Sequence, residues 1–300
     1  MKIIAPVNNK GGVGKTKVTT ILAEYLSKIC KYRVLAIDFD PQCNFSQRFL
    51  KMEIDPAAPE GMMPPVHPDY DPFSESDKHW DGRSSIADIF FGKSIVPYPT
   101  FIETLDIAPG DAAKLLQAEA VRRHEVTEKV HKQLKLLLNS DEVKAEYDVV
   151  IIDTAPSKGP LTVSVIKAAT DILIPTIMEE QPIQGVYGML QLWMQESMAR
   201  TKGDPLNLLG ILPNKYNRRT NLHQQMLTSL QSNQAIGKYI IPVQIGDRII
   251  IAELDSDDAN PKSIFDLPEN NLARQEAVEF CEFITKRIFA HEEKETVRGI

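Results

Sequence analysis

An α/β fold, a mainly parallel twisted sheet with helices on both faces, follows from three features of the sequence. Short apolar runs of strand length alternate with amphipathic stretches of helical period. A glycine-rich segment, Lys10-Gly11-Gly12-Val13-Gly14-Lys15-Thr16, joins the apolar run Ile3-Ile4-Ala5-Pro6-Val7 to the helix-like stretch Thr19–Ile29. Later apolar runs end on carboxylates, at Asp38 and Asp40 and again at Asp153.

In chain order, the pattern predicts strands near 2–7, 33–38, 104–108, 148–153, 171–175, 206–212 and 239–242. It predicts helices near 15–30, 111–138, 160–169, 183–200, 220–233 and 269–289. Ligands of such sheets gather beyond the carboxyl ends of the strands. Residues 8–15, 38–40 and 153–156 all lie at such ends, so three sequence-distant segments are expected to converge on one ligand site.

Residues 51–84 break the pattern, with six prolines from Pro56 to Pro72 and little periodicity. They hold eight acidic residues against Lys51, Lys78 and Arg83, a local net charge of −5. A long surface loop, partly disordered, is expected there. It reads either as a tolerated insertion or as a partner-binding segment. The charged tail, 291–300, is expected to be flexible.

With 300 residues and 43% apolar content, the chain can bury a substantial core. The spread of motifs favours one domain over 1–290. Cys30, Cys43 and Cys281 lack metal-ligand spacing, the six histidines are scattered, and no secretory start is seen, so a reduced cytoplasmic setting is expected. The longest apolar runs are too short to span a bilayer. Net charge is −7. Since −5 of it lies in 51–84, a basic face remains possible elsewhere.

Strand, glycine loop and helix start are the setting a phosphate cradle needs. Backbone N–H groups close around phosphate oxygens, Lys15 reaches the β/γ-phosphates, and Thr16 holds magnesium. Where the standard loop begins with glycine stands Asn9, and Lys10 gives the loop a second lysine.

That double-lysine loop resembles the deviant Walker A motif of the ParA/MinD family of P-loop ATPases. Val34–Gln42 resembles the family's second strand and switch I, and Tyr147–Ser157 its Walker B strand and switch II. Weaker matches follow at Thr170–Pro175, the Gln184-Gly185 turn, and Gly210–Asn214 before Arg219-Thr220-Asn221. The resemblance covers most of the chain and implies a P-loop NTPase fold, ATP and Mg2+.

By resemblance, Lys10, Gly11, Gly12, Val13, Gly14, Lys15, Thr16 and Lys17 bind the nucleotide. Thr16, Asp38, Asp40 and Asp153 surround the metal and its water shell. Asp40 places the attacking water; the alternative is that Asp38 and Asp40 only end a strand and cap a turn. Lys10 contacts the nucleotide of a facing subunit, making ATP the glue of a homodimer. With Lys15 and Asp40 it completes the catalytic set.

Two residues depart from the family pattern. Lys17 stands where a threonine usually contacts the α-phosphate, and Cys43 replaces the glycine of Asp-Pro-Gln-Gly-Asn. The resemblance also implies that Asn214 hydrogen-bonds the adenine and Pro242 packs on its face, though both equally suit turns.

Lys215, Arg218, Arg219, Arg274, Lys286 and Arg287 suit phosphate-backbone contact without sequence preference. The chain starts almost at the loop strand, leaving no room for an N-terminal helix-turn-helix, so operator binding is not expected. Leu272, Ala273, Ala277, Phe280, Ile284 and Ile288 form an apolar face on the last helix, expected to be core rather than membrane-bound.

The resemblance therefore implies a ParA-like partition ATPase of the short form, associated with the nucleoid. It would bind non-specific DNA and hydrolyse ATP slowly until a ParB-like centromere-binding protein stimulates it. The rivals are a MinD-like or cargo-positioning ATPase on a membrane or protein scaffold, and a non-hydrolysing interaction module. No cysteine follows the Walker B motif at a bridging position, which disfavours an iron–sulfur reductase.

Overall fold

The computed structural model describes residues 1–290 other than Ala57, Ser76, Arg122, Arg123, Asp255, Asp257, Asp258, Asn260 and Pro261. The tail for which flexibility was expected, 291–300, lies outside the described residues. The strands are β1 (Lys2–Pro6), β2 (Val34–Phe39), β3 (Glu53–Asp55), β4 (Ala58–Met63), β5 (Tyr98–Pro99), β6 (Leu105–Ala108), β7 (Val149–Thr154), β8 (Asp171–Thr176) and β9 (Asn207–Pro213). The first α-helices are α1 (Lys15–Glu24), α2 (Asn44–Phe49), α3 (Ala112–Glu119), α4 (His124–Leu138) and α5 (Asp141–Glu146). Then come α6 (Pro160–Ala168), α7 (Glu180–Ala199), α8 (Asn221–Ser232), α9 (Ile249–Glu253) and α10 (Leu272–Phe289).

The main sheet has seven strands in the order β5-β6-β2-β7-β1-β8-β9. β2 runs parallel to β6 and β7, β8 runs parallel to β9, and the short edge pair β5–β6 is antiparallel. β2, β7 and β8 are buried at every position, which is why they read as unbroken apolar runs rather than alternating ones.

The chain divides into two compact units. The first comprises mainly Ile3–Ala5 and Leu26–Ala169; the second comprises mainly Pro6–Tyr25 and the described residues from Thr170 onward. Within the first, α4 packs on α6, and α3 packs on both α6 and β4. Within the second, α7 lies against β8 and β9, and α10 against β9 and α1. Ala273, Ala277, Phe280, Ile284 and Ile288 of α10 are buried, so its apolar face is core; Leu272, at the first turn, is exposed.

Several sequence expectations need correction. Residues 239–242 are not a strand: Gly237–Tyr239 form a 3-10 turn, and a single bridge joins Ile240 to Ile211. Pro242, without an N–H, cannot extend such a ladder. The helix expected over 15–30 is α-helical to Glu24 and continues as a π-turn over Tyr25–Ile29. The span 111–138 holds two helices, α3 ending at the Ala120 cap. Gln184-Gly185 is not a turn but the second turn of α7.

The segment 51–84 is also more ordered than its composition suggests. β3 and β4 form an antiparallel hairpin. After it, His67 is buried against Tyr98 (4.5 Å between ring centroids) and Trp80 (5.5 Å). The Tyr98 hydroxyl donates to Pro65 O (2.8 Å), and Trp80 Nε1 donates to Arg83 O (2.8 Å). Prolines erase the periodic signal here, while a local aromatic cluster supplies the order.

Candidate functional site

In the second unit, the residues that follow Pro6 form a loop fixed from several directions. Asn8, buried, donates from Nδ2 to Pro175 O (2.9 Å), and its Oδ1 accepts Lys10 N (3.0 Å). Gly12 and Gly14 have φ of 76° and 83°, the left-handed conformation that other residues resist. Asn214, also buried, donates from Nδ2 to Val13 O (2.7 Å). A Cβ at Gly14 would land on that amide, and one at Gly185 of α7 would press on Asn8, Asn9 and Lys10.

Gly14 is the N-cap of α1 and offers no capping side chain, and the first turn contains no acid. It carries Lys15 and Lys17 instead, with Lys10 on the preceding loop. Cations at a helix N-terminus oppose the helix dipole, at about 0.3–1 kcal/mol each when exposed. Such an end fits an anion, and the left-handed glycines aim backbone N–H groups as a phosphate requires. Lys15 is buried, and its Nζ donates to Lys10 O at 3.4 Å.

In the first unit the parallel register of β2 and β7 sets Asp38 directly beside Asp153. Both are fully buried. Burial, and next the charge of Asp153, push the Asp38 carboxyl above the ordinary carboxylate range. Hydrogen bonds resist the shift: Ser46 donates from N (2.8 Å) and Oγ (2.7 Å) to Oδ2, and Asp40 N donates to Oδ1 (3.1 Å). Two buried carboxylates side by side suit a cation or its bound water. Among the described residues no cluster of three metal-ligating side chains is found. Magnesium is commonly held by one or two carboxylates together with phosphate and water oxygens, and the Asp38–Asp153 pair is of that kind.

Asp40 is buried; its Oδ1 accepts Gln42 N (3.0 Å) and its carbonyl accepts Cys43 N (2.9 Å). The carboxylate thus closes a turn. Cys43 holds φ 53°, the conformation glycine adopts most easily, which accounts for glycine in the family pattern. Its thiol is buried and pushed far up by burial and nearby carboxylates, so it is no ready nucleophile.

The six basic candidates do not form one cluster. Lys215, at φ 49°, is half-buried, while Arg218 and Arg219 are exposed on the turn before α8. Arg274 donates to Leu267 O (3.0 Å), and Arg287 donates to Leu209 O and lies over the Phe283 ring. Arg274 and Arg287 stand roughly 20 Å apart along α10 at 1.5 Å per residue. Lys286 is exposed, as is Pro242. Glu276 on the same helix is buried and binds Arg248 (2.7 Å) and Gly246 N (3.0 Å).

A family model described as an AAA domain matches residues 1–202. A ParA family protein of Chlamydia trachomatis is 30% identical over 224 residues, 73% of this chain and 74% of that relative. The chain belongs to the ParA/MinD family of P-loop ATPases. The chromosome-partitioning ATPase Soj of Thermus thermophilus is 28% identical over 260 residues, 84% of each chain. A Cyanothece McdA variant solved in complex with ATP shares the fold, with a TM-score of 0.70 at 17% identity over 95% of this chain and 96% of that one. Three residues that hold the ParA-family loop and carboxylates escaped the sequence reading: Asn8, Ser46 and the packing role of Gly185. Only Asn8, a polar residue closing an apolar run, carried a local signal.

Proposed function

We propose that this ParA-family chain is a partition ATPase that binds MgATP, dimerises around it and carries DNA. One observation carries the reading: the N-terminus of α1 holds Lys15 and Lys17, no acid and no capping side chain, behind two left-handed glycines. Lys15 and the loop N–H groups would neutralise the β/γ-phosphates, and Lys10 would reach the nucleotide of a second copy. By the family pattern Thr16 in the second unit, and Asp38 and Asp153 in the first, are the residues that would serve magnesium, which when bound supplies charge neutralisation on the phosphates. Asp40 would orient the attacking water, its backbone already set by the turn it closes. Lys17 adds positive charge at the same helix end.

Arg218 and Arg219, exposed on the turn before α8, with the half-buried Lys215 just before them, would meet DNA phosphates. A ParB-like partner would stimulate turnover. The relatives named chromosome-partitioning ATPase and ParA family protein support this reading over a cargo on a membrane. No helix among the described residues is long and apolar enough to cross a bilayer, and the apolar face of α10 is occupied by core.

The test is Lys15→Ala with fluorescent ATP analogues. We expect binding to fall by more than about a hundredfold, since a buried charge-assisted contact is lost. Unchanged affinity would remove the phosphate-loop assignment.

A further inference from the structure

Glu119 is the last residue of α3, on the face that buries Ala112 and Leu115. A carboxylate in the last turn meets the negative end of the helix dipole, an unfavourable place unless something else holds it. Here it is held. Glu119 Oε1 accepts the Ser157 hydroxyl (2.8 Å), and Oε2 accepts Leu161 N (3.0 Å). The Ser157 oxygen in turn accepts Gly159 N (3.2 Å) and lies 3.1 Å from Thr162 Oγ1. The backbone passes so close that a Cβ at Gly159 would come within 2.5 Å of Glu119 Cδ. All these residues belong to the same unit as Asp153, four residues before Ser157.

We infer that Glu119 is a positioning residue: it straps the segment 155–161 and so sets the path of the chain leaving Asp153. The inference rests on the proposed ATPase reading for its kinetic consequence, but not for the strap itself. Loss of the carboxylate frees two hydrogen bonds and the chain between them. Nucleotide affinity, set by Lys15 and the loop, should be spared while turnover suffers.

The test uses the full chain with Glu119→Ala, Glu119→Gln, Gly159→Ala and the Glu119→Ala/Gly159→Ala double variant. Amide exchange of the peptide containing Gly159 and Leu161 is measured beside MgATP affinity and turnover. We expect Glu119→Ala to speed exchange there, keep ATP affinity and melting temperature, and lower kcat by about tenfold or more, as misplacement near a reacting centre does. Glu119→Gln should stay close to wild type, because its amide can accept Leu161 N–H and donate to the Ser157 oxygen. Gly159→Ala should mimic the loss by displacing the carboxylate, yet add nothing in the Glu119→Ala background, where the clash is gone. Unchanged exchange in Glu119→Ala, or fully additive effects in the double variant, would overturn the strap. Faster exchange with unchanged kcat would overturn its catalytic consequence. A wild-type chain that releases no phosphate would overturn the ATPase reading instead, while exchange still decides the strap.

Discussion

Gly185 shows how one absent side chain can shape a binding loop. A Cβ there would sit 2.5 Å from Asn8 Oδ1, 2.7 Å from Asn9 Oδ1 and 2.8 Å from Lys10 Cγ. Gly185→Ala should favour the helix by up to about 1 kcal/mol. Yet it should push the loop, and overpacking of this kind costs about 1–3 kcal/mol. We expect a melting temperature near wild type and ATP affinity reduced by about tenfold, checked by scanning fluorimetry and calorimetry on one sample. Wild-type affinity would show that the loop yields freely. The importance of Gly185 was hidden in the sequence because its neighbours lie more than 170 residues away in the chain. Lys10–Thr16 was legible for the opposite reason, being consecutive.

Paired strands make a pH-dependent element of β2 and β7. Their register places Asp38 and Asp153 together, and burial with the second charge raises the Asp38 pKa above its ordinary 3.8. A carboxylate raised on folding binds a proton that the unfolded chain has released. Its contribution to stability is therefore complete below 3.8 and lost as pH rises through the folded value. In metal-free buffer, urea unfolding should show wild type losing stability between pH 5 and 8 relative to Asp38→Asn, which carries no titrating group there. Parallel slopes for the two proteins would mean the pair is not strained. That two strands end on these carboxylates could be read from the sequence, since buried parallel strands are unbroken apolar runs. That they stand directly opposite one another could not be, because register is set by tertiary pairing. Short elements were missed where β3 and β4 carry prolines or acids, and the strand expected at 239–242 fails because the apolar run stops at Pro242.

At the scale of the whole molecule, net charge says little about partners, and the acidic 51–84 segment shows why. Its charge is local, while Arg218 and Arg219 stand exposed elsewhere. With ATP present, replacing both arginines by alanine should weaken binding to unrelated duplexes alike and lower the salt slope by about two. An unchanged slope would place the DNA face elsewhere. Most of the fold was legible because apolar runs and helical periods alternate along the chain. The proposed homodimer was legible only through the family resemblance at Lys10, since no local pattern encodes how two copies meet. The mass of wild type and Lys10→Ala by light scattering, with and without MgATP, tests that most directly. We expect wild type to double its mass with MgATP and Lys10→Ala to bind ATP yet remain a monomer. Equal dimer formation by both proteins would contradict the nucleotide-bridged assembly.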